Sequence, residues 1–405
     1  MRDINWVKIG LINFSIVALL GVLMRYKIGF EFPFLDQKHL QHAHSHFAFA
    51  GWVSHLLYVL LFDVLKSRFS LAQNKKYNIL MGVNLLSAYG MLISFTWGGY
   101  WWLSILFSTL SVIVSYFFAL LYIQDLRQHQ INSPGKRWFT AALCFNLLSS
   151  VGTFFLGYLM ASHTVNMSKY LGAVYYYLHF QYNGWFFFAC MGLFMQKMSI
   201  LTGNERIDQP IFRLFLWTLI PAYFLSMLWA NLPLWLYTIV VVAAIIQCIA
   251  WAQCTRIIYN HRKILYRSFG KFGSFLFSLV FIAGTIKFLL QLFSTIPTIS
   301  KLSFGFRPIV IAYLHLVLLA FISLFILVHL YTNDYLGHSR KIVWALILIS
   351  AGIFLNECML MIQGIASFGY ILIPFVNEIL FAIALLLFIS IGMLSIIGRP
   401  DVSKT

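Results

Sequence analysis

The sequence predicts an all-α polytopic membrane protein, a twelve-transmembrane-helix bundle. Of its 405 residues, 61% are hydrophobic, 18% are aromatic and only 10% are charged. These are too few polar side chains to cover the surface of a soluble protein of this size. The apolar residues recur in runs of about 20, the length that a helix needs to cross a hydrocarbon core. We therefore expect a single membrane domain over residues 1–405.

Twelve apolar runs separated by polar breaks define the predicted helices. The first lacks a small-residue cleavage site, so we interpret it as a retained helix rather than a signal peptide. The third and fourth runs meet at residues 97–102 and the seventh and eighth at 231–233, which predicts two tight helical hairpins. The predicted spans are 4–24, 40–65, 77–97, 99–124, 138–162, 170–196, 212–230, 232–254, 272–296, 308–332, 342–364 and 370–396.

The distribution of Lys and Arg predicts the orientation of the helices. Loops that follow even-numbered helices are rich in these residues, whereas loops that follow odd-numbered helices carry few. Because positive side chains concentrate on the cytoplasmic side, the even loops and both termini are expected in the cytoplasm. The net charge of +17 is thereby explained without a nucleic-acid partner. Representative residues of the even loops are Lys75, Arg137, Arg206, Arg262 and Lys341.

Histidine is the residue type that suggests chemistry inside the membrane, where an unpaired ionisable group is costly. In the predicted orientation, His46, His179 and His315 lie about seven, ten and seven residues into the second, sixth and tenth helices. At 1.5 Å per residue, all three are roughly 10 to 15 Å below the outer surface. A shared depth on three helices is what a common cofactor requires, and it also arises by chance.

The second helix carries the densest group, His39, His42, His44 and His46. At about 100° per residue, His39, His42 and His46 share one helical face, while His44 points away. His42 or His46 is therefore the candidate ligand. The alternative is a polar run at a helix start that has no ligand role. His55 lies about half a turn round from His46, and we expect it to be a satisfied packing histidine.

The sixth and tenth helices each carry one histidine in an apolar setting. Asn183 follows His179 by four residues, so both side chains reach one site, either as metal ligands or as a hydrogen-bonding pair. His315 has apolar neighbours that offer no hydrogen-bond partner, which favours a coordinated neutral imidazole. A second ring nitrogen would then donate to a carbonyl or hydroxyl on a neighbouring helix.

Three further charges, Lys287, Glu357 and Glu378, fall inside predicted helices. They form either a proton path or a set of mutually neutralising charges, and the sequence does not decide between the two. The five cysteines are scattered without a Cys-x-x-Cys pair, which argues against a disulfide framework and a thiolate metal site.

Twelve helices with histidines in the second, sixth and tenth resemble the catalytic subunit of the heme-copper oxidase and nitric oxide reductase superfamily. The resemblance implies a low-spin b-type heme between His46 (or His42) and His315. In the family's tenth-helix His-x-His motif, Tyr313 takes the first place here. His179, Asn183 and Gly184 match the reductase motif His-x-x-x-Glu-Gly, with Asn in place of Glu.

The chain also departs from that family. Two adjacent histidines on the family's seventh helix complete a copper or non-heme iron site, yet no histidine lies between His179 and His261. With Tyr313 replacing the high-spin heme ligand, we expect no binuclear centre and no ordinary oxygen or nitric oxide reduction. The chain also resembles the NnrS-type membrane proteins, through the His-Ala-His-Ser-His run at 42–46 and the Leu-Gly-His-Ser-Arg segment at 336–340.

Two functions follow from these features. The first is a heme-dependent respiratory subunit that acts in electron transfer or in nitric oxide or oxygen binding, with a copper or other metal ion as a further candidate cofactor. Other respiratory or membrane subunits would be its partners. The second is a non-redox assembly or structural subunit whose histidines only hydrogen-bond. A transporter is less favoured, because we find no inverted repeat. We expect a multi-pass protein of the bacterial inner membrane.

Overall fold

The structure is a computed structural model that describes residues 4–66, 71–128, 134–162, 166–300 and 306–398. Twelve helices in these ranges are long and apolar enough to cross a membrane, which confirms the predicted fold class. They are α1 (Ile4–Gly29), α2 (Gln37–Lys66), α3 (Leu71–Gly98), α4 (Trp102–Gln128), α5 (Pro134–Ala161), α6 (Met167–Thr202), α7 (Gln209–Ala230), α8 (Leu234–Asn260), α9 (Arg262–Phe293), α10 (Arg307–Thr332), α11 (Arg340–Phe368) and α12 (Val376–Ile397).

Both predicted hairpins are confirmed, and each turns through a residue with positive φ. Gly99 has a φ of +61° between α3 and α4, and Asn231 has a φ of +50° between α7 and α8. Glycine and asparagine tolerate this left-handed conformation better than other residues. The hairpins therefore follow from local sequence.

Three helix starts differ from the sequence prediction by six residues or more, and the first of them is α3, which begins at Leu71 rather than at residue 77. α12 begins at Val376 rather than at residue 370, because Pro374 disfavours helix at the residue before it and Phe375 has a φ of +58°. α9 begins at Arg262, ten residues before the predicted start, but Gly270 breaks it with a φ of +70° and a ψ of 173°. A short helix over residues 262–269 therefore precedes the predicted span.

Packing contacts divide the chain into two compact units, Met1–His129 with Ile326–Thr405, and Gln130–Phe325. In the first unit, α1 packs against α2 and α12, α3 against α2 and α4, and α11 against α12. In the second, α5 packs against α6, and α8 packs against α7 and α9. The single membrane domain expected over residues 1–405 stays a prediction.

Among the described residues, three helices contain π-helical segments, which the regular 3.6-residue helical repeat does not predict. The segments are Ala48–Ser54 in α2, Phe180–Phe186 in α6 and Leu316–Ser323 in α10. In α2 the Asn13 and Asn84 amides donate to the Gly51 and Ala50 carbonyls at 2.6 and 3.1 Å. In the hydrocarbon region of a membrane, no water can donate to a carbonyl that has lost its helical hydrogen bond. A side-chain donor from a neighbouring helix takes that place. π segments are rare and occur frequently at functional sites.

Candidate histidine sites in the membrane helices

The start of α2 is fixed by Asp36, which precedes the histidine run. Its Oδ1 accepts hydrogen bonds from the backbone N–H groups of Lys38 and His39 at 2.8 and 3.0 Å. These bonds, the one from His39 above all, hold the pKa of the Asp36 carboxyl below its usual value. The carboxylate is therefore ionised at neutral pH and caps the positive end of the helix dipole.

His42 and His46 face the turn between α3 and α4. The His46 ring stacks on Phe95, with ring centroids 4.3 Å apart and an angle of 12° between the planes. Its Nε2 lies 3.1 Å from the Tyr100 hydroxyl. The His42 ring meets Tyr100 edge to face at 4.6 Å. The predicted shared face of these two histidines is confirmed.

His44 and His55 hydrogen-bond to α1 instead. His44 Nδ1 donates to the Val17 carbonyl at 3.1 Å, which confirms that His44 points away from His46. His55 is fully buried, and its Nε2 donates to the Trp6 carbonyl at 3.2 Å. Its Nδ1 is buried with no hydrogen-bond partner in the described part of the chain. The expected packing role of His55 is thus accompanied by one unsatisfied nitrogen, so the expectation that it is fully satisfied is wrong.

His179 forms the hydrogen-bonding pair that the sequence analysis weighed against a metal site. Its side chain is buried, and its Nε2 donates to the Leu219 carbonyl on α7 at 2.9 Å. Its Nδ1 then accepts from the Asn183 amide at 3.2 Å. Both ring nitrogens are therefore occupied. A metal ion at His179 would have to displace one of these bonds, and its role as a ligand stays a prediction.

The Leu219 carbonyl is open to His179 because α7 changes its winding just beyond it. Pro221 lies inside α7, and a 3-10 segment begins at Tyr223. The Tyr223 N–H bonds to the carbonyls of Ile220 and Pro221, not to that of Leu219, its usual helical acceptor. Proline-disrupted helices in membranes have such freed carbonyls satisfied by neighbouring helices. The group of α7 that bonds to His179 is thus a backbone carbonyl oxygen.

His315 makes a hydrogen bond within its own helix. Its Nδ1 donates to the Ile311 carbonyl, four residues earlier, at 2.9 Å. The expectation that this bond would reach a neighbouring helix is wrong, because Nδ1 bonds to the carbonyl one turn back in the same helix. Since Nδ1 carries the proton, the lone pair of the neutral ring is on Nε2. Nearby in the same unit, Tyr313 contacts Tyr182 edge to face at 6.4 Å.

Lys287 is buried among aromatic rings in α9. Its Nζ donates to the Gln291 Oε1 at 2.8 Å and lies 4.0 Å from the centroid of the Phe288 ring. Phe187 offers a second ring at 5.7 Å. The lysine thus takes its stabilisation from an amide and two ring faces, in place of a carboxylate.

The two glutamates are less deeply placed. Glu357 is half-buried and accepts a hydrogen bond from the Asn356 amide at 3.2 Å. Glu378 is exposed in the first turn of α12. Neither forms an ion pair within the described part of its own unit, and the same is true of Lys287. The choice between a proton path and mutual neutralisation remains a prediction.

No group of three or more His, Cys, Asp or Glu side chains comes together in a way that could hold a metal ion, as far as the structure describes the chain. All five cysteines are free thiols. The ligand roles of His46, His179 and His315 stay predictions.

The three histidines share a sequence pattern that the sequence analysis missed. Each histidine lies within two residues of a π segment and is the first residue of a similar heptapeptide. The three helices that carry the pattern, α2, α6 and α10, are four helices apart in the chain. The position five residues after the histidine is small, and the next position is a buried aromatic ring. The three sequences are His-Phe-Ala-Phe-Ala-Gly-Trp from His46, His-Phe-Gln-Tyr-Asn-Gly-Trp from His179 and His-Leu-Val-Leu-Leu-Ala-Phe from His315. A search for a parallel repeat, rather than an inverted one, would have found this pattern.

Comparison with known proteins adds no assignment. No protein-family model matches the chain, and no curated protein is significantly similar to it.

Proposed function

We propose that the chain is a membrane heme protein diverged from the heme-copper oxidase and nitric oxide reductase superfamily. The observation that carries the proposal is the repeated placement of His46, His179 and His315 beside π segments in α2, α6 and α10. Packing alone does not require a histidine at the same place in every fourth helix, next to a π segment.

The first residue that would hold the heme is His315. Its Nδ1–H is held by the Ile311 carbonyl, which orients the ring and leaves the lone pair on Nε2. Metal-binding histidines almost always donate their other ring N–H to a carbonyl, a carboxylate or water. His315 therefore has the tautomer that an iron ligand needs.

The proposed second ligand comes from α2, as the family resemblance implies. His46 already bonds to Tyr100 through Nε2, so ligation by His46 would exchange that bond for iron. His42 forms no hydrogen bond with any residue that the structure describes. On this comparison His42 is the more available ligand, although the sequence analysis placed His46 first.

The proposed role is electron transfer. A b-type heme supplies one-electron redox chemistry when bound. His315 and a histidine of α2 would together hold such a group, which would favour electron transfer over nitric oxide or oxygen binding. Reductase turnover is not part of the proposal, because α7 meets His179 with a carbonyl and Tyr313 occupies the position of the high-spin heme ligand.

The test is an optical spectrum with metal analysis of the purified protein, made with adequate heme supply. We expect one heme per chain with low-spin b-type bands on reduction. Folded protein that carries no heme under these conditions would contradict the proposal, and so would nitric oxide turnover at rates typical of the superfamily.

The second candidate function is a structural or assembly subunit without redox chemistry. It is favoured by His44, His55 and His179, each of which donates to a carbonyl of another helix. Protein without heme would leave these bonds as the purpose of the histidines. Replacing His179 would then lower the stability of the protein and leave its visible absorption spectrum unchanged.

We also propose a bacterial inner-membrane location with cytoplasmic termini, supported by the Lys and Arg distribution. A reporter fused after Lys76 or Arg262 is expected to report the cytoplasm, and one fused after Lys169 the outside. Opposite readouts would invert the membrane depth of the three histidines and weaken the case for a shared cofactor.

A further inference from the structure

A cationic segment joins α8 to the membrane-spanning part of α9. The short helix over residues 262–269 ends at Gly270, whose φ of +70° lets the chain turn before the apolar span begins. The segment therefore lies where two candidate membrane helices meet. The exposed basic side chains in and next to this segment are Arg256, Arg262, Lys263, Arg267 and Lys271.

Three of these cations share a pocket. Arg262, Lys263, Tyr266 and Arg267 line an open depression of about 390 Å³ on one face of the short helix. Arg262 is held in place, because its guanidinium lies 4.2 Å from the Tyr259 ring and donates to the Tyr259 carbonyl at 2.9 Å. The pocket thus combines fixed positive charge with aromatic surface.

Acidic residues are far from this segment along the sequence. No Asp or Glu occurs between Asp208 and Asp334 in the sequence. None of the five basic residues forms an ion pair in the part of its unit that the structure describes. The neutralising charge must therefore come from outside this segment.

We propose that this pocket binds the phosphate headgroup of an anionic phospholipid. Clusters of Lys and Arg next to a membrane helix attract anionic lipid at the surface. Exposed Tyr259, Ile264 and Tyr266 lie beside the cations, as expected of a segment at the membrane interface. The lipid phosphate neutralises the cations while its acyl chains stay in the bilayer. The site is independent of the proposed heme.

The experiment is native mass spectrometry of the purified full-length protein, titrated with phosphatidylglycerol and with phosphatidylcholine of the same acyl chains. We expect tighter binding of phosphatidylglycerol. The triple variant Arg262→Gln, Lys263→Gln, Arg267→Gln should lose this preference, by roughly fivefold for each charge removed. Arg267→Gln alone should reduce the preference for phosphatidylglycerol roughly fivefold. This single variant keeps the test valid if the triple variant fails to fold.

A matched control removes three exposed basic residues elsewhere, Lys75, Lys76 and Arg127, each changed to Gln. It should keep the preference for phosphatidylglycerol. Equal loss in the control would show that only overall charge matters and would overturn the site. Displacement of the lipid by equimolar inorganic phosphate would also overturn the proposal, since the pocket would then be a site for free anions.

Discussion

The His315→Ala variant is expected to lose the low-spin heme bands completely. In the proposed site His315 supplies one of the two imidazoles that keep the iron low-spin, and alanine offers no ligand atom. The bond from Nδ1 to the Ile311 carbonyl is lost as well, but this bond lies within one helix and its loss should not unfold the protein. The measurement is the reduced-minus-oxidised spectrum of purified variant and wild-type protein. Added imidazole should restore part of the signal by entering the vacated space.

His329→Ala is the matched control because His329 is on the same helix, more than three turns further along. It should keep the spectrum intact. His42→Ala and His46→Ala, measured in parallel, identify the second ligand as whichever change also removes the bands. A His315→Ala protein with a full wild-type spectrum would show that the cofactor assignment is wrong.

The Gly152→Ala variant is expected to destabilise the second unit strongly. A Cβ at position 152 in α5 would lie 2.7 Å from the Ala173 carbonyl oxygen and 2.9 Å from the Tyr177 nitrogen of α6. Both are backbone atoms, so no side-chain rotation relieves the overlap, and the two helices must separate. Small residues allow this close backbone approach in membrane bundles. Overpacking of this kind typically costs about 1–3 kcal/mol.

Gly157→Ala is the control in the same helix, because a Cβ there meets no atom within 4 Å. It should leave stability unchanged or slightly raised, since alanine favours helix over glycine. The measurement is the thermal unfolding of both variants in one detergent. Equal unfolding temperatures for the two variants would contradict the close packing of α5 on α6.

The amino-acid sequence by itself determined the helices and most of their limits. Whether a run enters a membrane depends on the summed transfer free energy of about 20 consecutive side chains, which is a local property of the chain. The hairpins at Gly99 and Asn231 were likewise predictable, because the neighbouring apolar runs nearly touch and because glycine and asparagine tolerate the positive φ of a tight turn. The shared face of His42 and His46 followed from helical geometry alone.

Only the tertiary structure decided how the backbone and the histidines are satisfied. The π segment in α2 depends on Asn13 and Asn84, which reach its carbonyls from two other helices. The state of His179 depends on the Leu219 carbonyl, which is 40 residues away in sequence. In hydrocarbon a polar group must find its partner within the protein, and that partner is defined by which helices meet. A sequence shows which polar groups enter the membrane, whereas helix packing determines what each of them bonds to.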